Sequence, residues 1–132
     1  MAHFQLLVFG GGNAGLSAAA HLLLKSPKTS VGIVEPSDKH YYQPAWTLVG
    51  GGAFNIKDTE REEKDFIPKG AEWIKDRVES FQPEKNEVTL ASGAVIGYDQ
   101  LLVCPGIQLD WSAVKGLPES LGKNGVTSNY SF

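Results

Sequence analysis

Cysteine is nearly absent: Cys104 stands alone among 132 residues. A disulfide within the chain is therefore excluded, and so is any cysteine zinc cluster. Long apolar runs are missing too. The longest candidate, Ala18 to Leu24, is interrupted by His21 and falls far short of the roughly twenty residues of a membrane helix. Neither sign of charge dominates: 12 basic against 15 acidic residues leave a net charge of −3, which gives no electrostatic footprint for nucleic acid. Internal repeats and low-complexity tracts are lacking. The chain enters an apolar run almost at once, so no signal or transit peptide is expected. Ser17, Ser37 and Ser92 have no plausible relay partners, which sets nucleophile–histidine–acid hydrolysis aside. The length suits one domain with a core of its own.

What is present concentrates in the first thirty-five residues. Phe4 to Phe9 reads as a buried strand and breaks into Gly10-Gly11-Gly12-Asn13-Ala14-Gly15, which contains G-x-G-x-x-G. Leu16, Ala19, Ala20, Leu23 and Leu24 follow at the spacing of a one-sided apolar helix stripe. Lys25-Ser26-Pro27 ends it, because proline disfavours helical geometry in the residue before it. Val31 to Val34 reads as a second buried strand, with Glu35 at its end. Strand, glycine turn, helix, strand and acid together form the unit that holds the ADP half of a dinucleotide. Gly10 suits the tight turn, Gly12 a close backbone approach to pyrophosphate, and Gly15 close helix–strand packing. The free N–H groups around Asn13 to Leu16 would face the phosphates with the positive end of the helix dipole. Glu35 is placed to accept from a ribose hydroxyl, and its charge would repel a 2′-phosphate. The pattern favours FAD or NAD over NADP.

The rest of the chain is less regular. Pro36 to Lys39 reads as a turn, followed by the aromatic loop His40-Tyr41-Tyr42-Gln43-Pro44-Ala45-Trp46. That loop suits covering a flat ligand, with Gln43 as donor and acceptor and Pro44 fixing the backbone; it equally suits an ordinary surface-to-core loop. Gly50-Gly51-Gly52 reads as a bend, without the preceding strand that a phosphate cradle needs. Asp58 to Phe66 is highly charged and reads as a solvated helix stopped by Pro68. Short strands are then expected at Trp73-Ile74, Arg77 to Phe81, Glu87 to Leu90 and Val95 to Tyr98, forming an antiparallel meander. Leu101 to Val103 reads as a further strand entering Cys104-Pro105-Gly106. His3 falls at an expected frayed end, and His21 lies off the helix stripe. His40 could touch cofactor phosphates or simply pack. Trp46, Trp73 and Trp111 are read as core or inter-domain contacts. From Ile107 the chain is turn-rich and reads as a linker.

Tyr98-Asp99-Gln100-Leu101-Leu102-Val103-Cys104-Pro105-Gly106 is similar to the Tyr-Asp-x-Leu-Val-x-Ala-Thr-Gly motif of flavoproteins with two dinucleotide-binding domains. A narrower resemblance follows. His40 to Gly50, Ile67 to Lys75, Gly106 to Trp111 and Ser128 to Ser131 resemble the sulfide:quinone oxidoreductases, most of all the branch that includes the mitochondrial enzyme. The string Tyr42-Gln43-Pro44-Ala45-Trp46-Thr47-Leu48-Val49-Gly50 carries it most specifically. The resemblance implies an α/β, Rossmann-like FAD/NAD(P)-binding domain with a parallel sheet, helices and an antiparallel β-meander, in an incomplete three-layer fold. It implies FAD as cofactor, with Gly10, Gly12, Asn13, Ala14 and Gly15 at the pyrophosphate and Glu35 at the ribose. Gln43 and Pro44 would lie against the cofactor, Val78 near the adenine, and Cys104 and Gly106 where the chain passes the flavin. Cys104 takes the alanine position of the motif, where a small side chain packs, so it is not read as a nucleophile.

The same resemblance implies oxidation of sulfide at a pair of redox cysteines and electron transfer through FAD to quinone. This chain has no such pair, so residues 1–110 are expected to form the N-terminal part of an FAD-binding domain. Residues 111–132 would lead toward a second nucleotide-binding domain that the chain lacks. Alone, the chain is expected to be inactive. Sulfide and quinone would be partners of the full-length enzyme, homo-oligomers are allowed, and membrane contact would come through a missing C-terminal part. The expected location is cytoplasmic or peripheral on the membrane. Two other readings stand beside this one: a type II NADH dehydrogenase or ferredoxin reductase-like flavoprotein, and a non-catalytic nucleotide-binding module.

Overall fold

The computed structural model describes residues 1–131. Strand β1 (Ala2–Phe9) lies at the centre of a six-stranded sheet. It pairs in parallel with β2 (Val31–Val34) on one side and β8 (Val95–Val103) on the other. Outside β2 lies β5 (Ala71–Ile74), also parallel. Outside β8 run β7 (Glu87–Leu90) and β6 (Val78–Gln82), both antiparallel to their neighbours, giving the order β5-β2-β1-β8-β7-β6. The fold is thus α/β, with a mainly parallel sheet and an antiparallel meander at one edge.

The side chains of β1 divide between two cores. Val8 turns toward helix α1 (Asn13–Lys25) and packs with Leu16, Ala19, Leu23, Val31 and Ile33. Leu7 joins the opposite cluster of Phe4, Val34, Val78, Val88, Leu90, Ile96 and Tyr98. A fully buried leucine or valine contributes about 1.5–3 kcal/mol relative to its exposed state, so both clusters stabilise the sheet that presents the glycine turn.

Several expectations need correction. Leu24 continues the apolar spacing of α1 yet is 82% exposed, while Leu23 beside it is buried in the core. His3 lies within β1 rather than at a frayed end, and its Nε2 sits 2.7 Å from Asp99 Oδ1. Val95 to Val103 is one strand rather than two, because its ladder to β1 continues through Gln100 although Asp99 and Gln100 are exposed. Trp73 and Ile74 belong to the parallel edge strand β5 and not to the meander. Asp58 to Phe66 is not a solvated helix. It holds a 3-10 turn at Ile56–Thr59, strand β4 (Glu60–Glu62) and a second 3-10 turn at Glu63–Asp65. Thr59 and Glu63 are buried within that charged stretch.

The chain divides into two units. One comprises Met1–His40 and Arg61–Gly106 and contains the six-stranded sheet; the other comprises Tyr41–Glu60 with the segment from Ile107 onward. Strand β3 (Lys39–Tyr41) pairs with β4 where the chain leaves the first unit and returns. In the second unit the aromatic loop is a 3-10 turn at Gln43–Ala45 running into helix α2 (Trp46–Gly50). The three glycines close that helix, with the Gly51 N–H donating to Thr47 O at 3.1 Å. Fully buried Thr59 organises this unit: its Oγ1 accepts from Trp46 Nε1 at 3.0 Å, and its carbonyl accepts from the Tyr42 N–H at 2.8 Å. The segment after Ile107 carries a 3-10 turn at Trp111–Ala113, capped by Asp110 Oδ1, and the short helix α3 (Leu117–Ser120). No helix among the described residues is long and apolar enough to cross a membrane.

Candidate nucleotide-binding site

The site is built where β1 ends, α1 begins and β2 and β8 finish alongside. Gly10 is buried with φ +106°, and its N–H donates to Val34 O at 3.0 Å. A Cβ there would lie 2.0 Å from the Cys104 carbonyl oxygen. A Cβ on Gly15 would lie 2.0 Å from Gly10 O and 2.9 Å from Val8 Cγ1, which is why the first turn of α1 can sit so close to β1. Gly12, the residue preceding α1, differs: nothing lies within 4 Å of an added Cβ. No side chain caps α1, so its first-turn N–H groups, at exposed Asn13 and Ala14 and at buried Gly15, keep the positive end of the helix dipole available.

Glu35 is held firmly. Its Oε2 accepts from the Gly11 N–H at 2.9 Å and its Oε1 from the Ser37 N–H at 2.8 Å. Its backbone N–H donates to Ile74 O at 3.1 Å, and its carbonyl accepts from Trp73 Nε1 at 2.8 Å. The carboxylate is thereby oriented beside the glycine turn, with lone pairs to spare.

The first unit therefore brings together Gly10, Gly12, Asn13, Ala14, Gly15, Glu35 and Cys104. The Cys104 N–H donates to Phe9 O at 2.7 Å, which fixes the end of β8 against β1. Gly106 has φ +73° and open space where a Cβ would be. Val78 begins β6 and is buried in the cluster with Val34 and Leu7. Gln43 and Pro44 lie in the second unit, Gln43 half-buried and Pro44 exposed. Among the described residues, no group of three or more His, Cys, Asp or Glu side chains could hold a metal ion.

Sequence reasoning missed three participants. Gly11, a variable position in the motif, has no room for a side chain: a Cβ would lie 2.4 Å from Glu63 Oε1 and 2.7 Å from Glu35 Cβ. Ser37 supplies a backbone donor, which no side-chain pattern reveals. Glu63 is only 1% exposed, its Oε2 is 3.2 Å from His40 Nδ1, and its Oε1 has no hydrogen-bond partner among the described residues. Burial, and then the nearby Glu35 carboxylate, push its pKa up to about 7. His40 is buried by packing, stacked on Phe66 with ring centroids 4.9 Å apart.

The chain is similar in sequence and in fold to several known proteins. A sulfide:quinone oxidoreductase of Dictyostelium discoideum mitochondria is 58% identical over 129 residues, 97% of this chain. The chain is homologous to the sulfide:quinone oxidoreductases. The mitochondrial member from Mus musculus is 43% identical over 98% of the chain. The chain spans less than a third of these relatives' lengths, 28% and 29% respectively. The solved sulfide:quinone oxidoreductase of Aquifex aeolicus superposes with a TM-score of 0.67 at 26% identity, over 83% of this chain and 25% of that one. A chain of the Tetrahymena thermophila mitochondrial ATP synthase assembly matches all of this chain and 32% of its own length, with a TM-score of 0.87. At 22% identity that match shows a common fold alone. No family model matches the chain.

Cys104 meets the glycine turn through its backbone. Cys104→Ala is expected to change stability by less than about 1 kcal/mol, as small-for-small replacements of similar volume do. Urea denaturation checks this, and a loss several times larger would give the thiol a role the geometry does not show.

Proposed function

We propose that this chain is the FAD-binding portion of a sulfide:quinone oxidoreductase-type flavoprotein. The observation that carries the reading is the Glu35 carboxylate, pinned by the Gly11 and Ser37 N–H groups beside an uncapped helix N-terminus. The residues present fit the ADP half of FAD. Glu35 would accept from the ribose hydroxyls. Gly12, Asn13, Ala14 and Gly15 would receive the pyrophosphate, and Gly10 would hold the turn. Gly106, open at its Cβ position, would let the chain pass the flavin. In the same reading Gln43 and Pro44 lie against the cofactor, Val78 serves the adenine side and Cys104 packs as a small residue. The 58% identity to the Dictyostelium enzyme supports extending the reading from nucleotide to flavoprotein.

When bound, the flavin supplies the two-electron chemistry, and the protein's contribution is binding, orientation and electrostatics. A relay of sulfide through two thiols needs a cysteine pair, and this chain has one cysteine. The proposal therefore places sulfide oxidation, the quinone and any membrane contact in the full-length enzyme. Residues 1–110 serve as its N-terminal FAD-binding part and residues 111–132 lead onward.

Glu35→Gln tests the reading. A charge-assisted hydrogen bond contributes about 1.5–3 kcal/mol, so FAD affinity measured by calorimetry should fall about tenfold or more. Unchanged affinity would remove Glu35 from the site, and a wild-type chain that binds neither FAD nor ADP-ribose would overturn the proposal.

A further inference from the structure

Glu63 is a buried carboxyl with one partner too few. Its side chain is 1% exposed, Oε2 meets His40 Nδ1 at 3.2 Å, and Oε1 has no hydrogen-bond partner among the described residues. That orphaned oxygen points at Gly11, where an added Cβ would meet it at 2.4 Å and would meet Glu35 Cβ at 2.7 Å. Two carboxyl side chains thus converge over Gly11, one of the two residues whose N–H groups orient the Glu35 carboxylate. The backbone around Glu63 is also fixed, since its N–H donates to Asp38 O at 2.8 Å.

We propose that Glu63, held by His40, is a positioning residue for the nucleotide site, supporting binding while it carries a proton and opposing it once ionised. The inference rests on the dinucleotide reading above and assigns a regulator to that site. Its physical basis is charge. Glu35 offers its carboxylate to the ribose, and the ligand brings a pyrophosphate. A second buried carboxylate beside Gly11 adds like charge where screening by solvent is weakest.

Few other charges face Glu63. His40 faces it from β3 and Glu35 from the end of β2, while the glycine turn presents backbone. On the neighbouring segments, Lys39 pairs with Glu62 and Asp38 with Lys75 toward solvent. Lys64 and Asp65 on its own turn are exposed. Burial and Glu35 raise the Glu63 pKa to about 7, so the change of charge falls near neutrality.

The test uses ADP-ribose, whose pyrophosphate is esterified at both ends and does not titrate near neutral pH. Calorimetry on the wild-type chain should show the Kd rising about fivefold between about pH 6 and about pH 8, as proton linkage requires for a one-unit shift. Glu63→Gln, which keeps the shape without the ionisation, should hold Kd within about twofold over that range. By reciprocity, saturating ADP-ribose should raise the midpoint of the Glu63 carboxyl 13C titration by about one unit. This third readout needs no variant, so it decides the matter even if Glu63→Gln folds poorly. A Glu63→Gln chain with the wild-type pH slope would assign the effect to His40 and overturn the inference. A carboxyl midpoint indifferent to ADP-ribose would overturn it as well. Binding that is strong but flat with pH removes this inference alone, whereas no binding at any pH removes the nucleotide reading and the inference with it.

Discussion

Gly10→Ala should destabilise the chain by about 3–5 kcal/mol, at the upper end of what single substitutions do. Two effects combine. The backbone at Gly10 has φ +106°, a conformation that costs a residue with a Cβ about 1–3 kcal/mol. The new Cβ would also lie 2.0 Å from Cys104 O and 2.7 Å from Cys104 C. Both are backbone atoms, and the Cys104 N–H bond to Phe9 O at 2.7 Å keeps them in place, so no side chain can swing aside. Gly93→Ala is the control. Gly93 has φ +85° with nothing within 4 Å of an added Cβ, so it reports backbone strain alone. Urea denaturation of both variants measures the difference. Equal losses would show that the Cys104 backbone does not crowd the glycine turn.

The second large effect is the dependence of stability on pH, and it runs opposite to the usual behaviour of a carboxylate. Glu63 rises from 4.5 to about 7 on folding, through burial first and Glu35 second. Between those values the native chain holds a proton that the unfolded chain has released. Stability from this group is therefore complete below about pH 4.5, declines as pH rises through 7, and then levels off. At 1.36 kcal/mol per pKa unit the loss is about 3 kcal/mol, offset in part by the donor that His40 Nδ1 offers the ionised form. Other carboxylates have the opposite sign: Glu62, Asp76 and Asp110 are lowered by hydrogen bonds, with Lys39 the main cause for Glu62. Comparing wild type with Glu63→Gln across this range cancels those contributions. The variant is expected to be the more stable of the two above pH 7, by an amount that vanishes near pH 4.5. A difference that does not change with pH would contradict the account.

How much of this was legible in the sequence follows from the kind of signal each residue leaves. Apolar periodicity and glycine spacing read out β1, α1, β2 and the turn between them, because the forces that form them act between near neighbours in sequence. Val31–Val34 and Glu87–Leu90 matched their expected bounds for the same reason. The misreadings cluster where pairing is long-range. Trp73 and Ile74 pair with β2, some forty residues away, and no local pattern distinguishes a parallel edge strand from a meander strand. Glu63 looked solvated because six other charged residues surround it between Asp58 and Asp65. Its burial follows from β4 lying against β3 and from His40 arriving beside it. Gly11 was passed over as a variable position, and only the convergence of Glu35 and Glu63 shows why glycine is needed there.

The central claim is that the glycine turn and Glu35 hold the ADP half of a dinucleotide. At 14.3 kDa the chain suits amide NMR, and titration with FAD tests that claim directly. The account predicts the largest shifts at the amides of Gly11, Gly12, Asn13, Ala14, Gly15 and Ser37, with Asn86 and Gly93 in the meander turns unmoved. Shifts centred elsewhere, or none at saturating FAD, would contradict it.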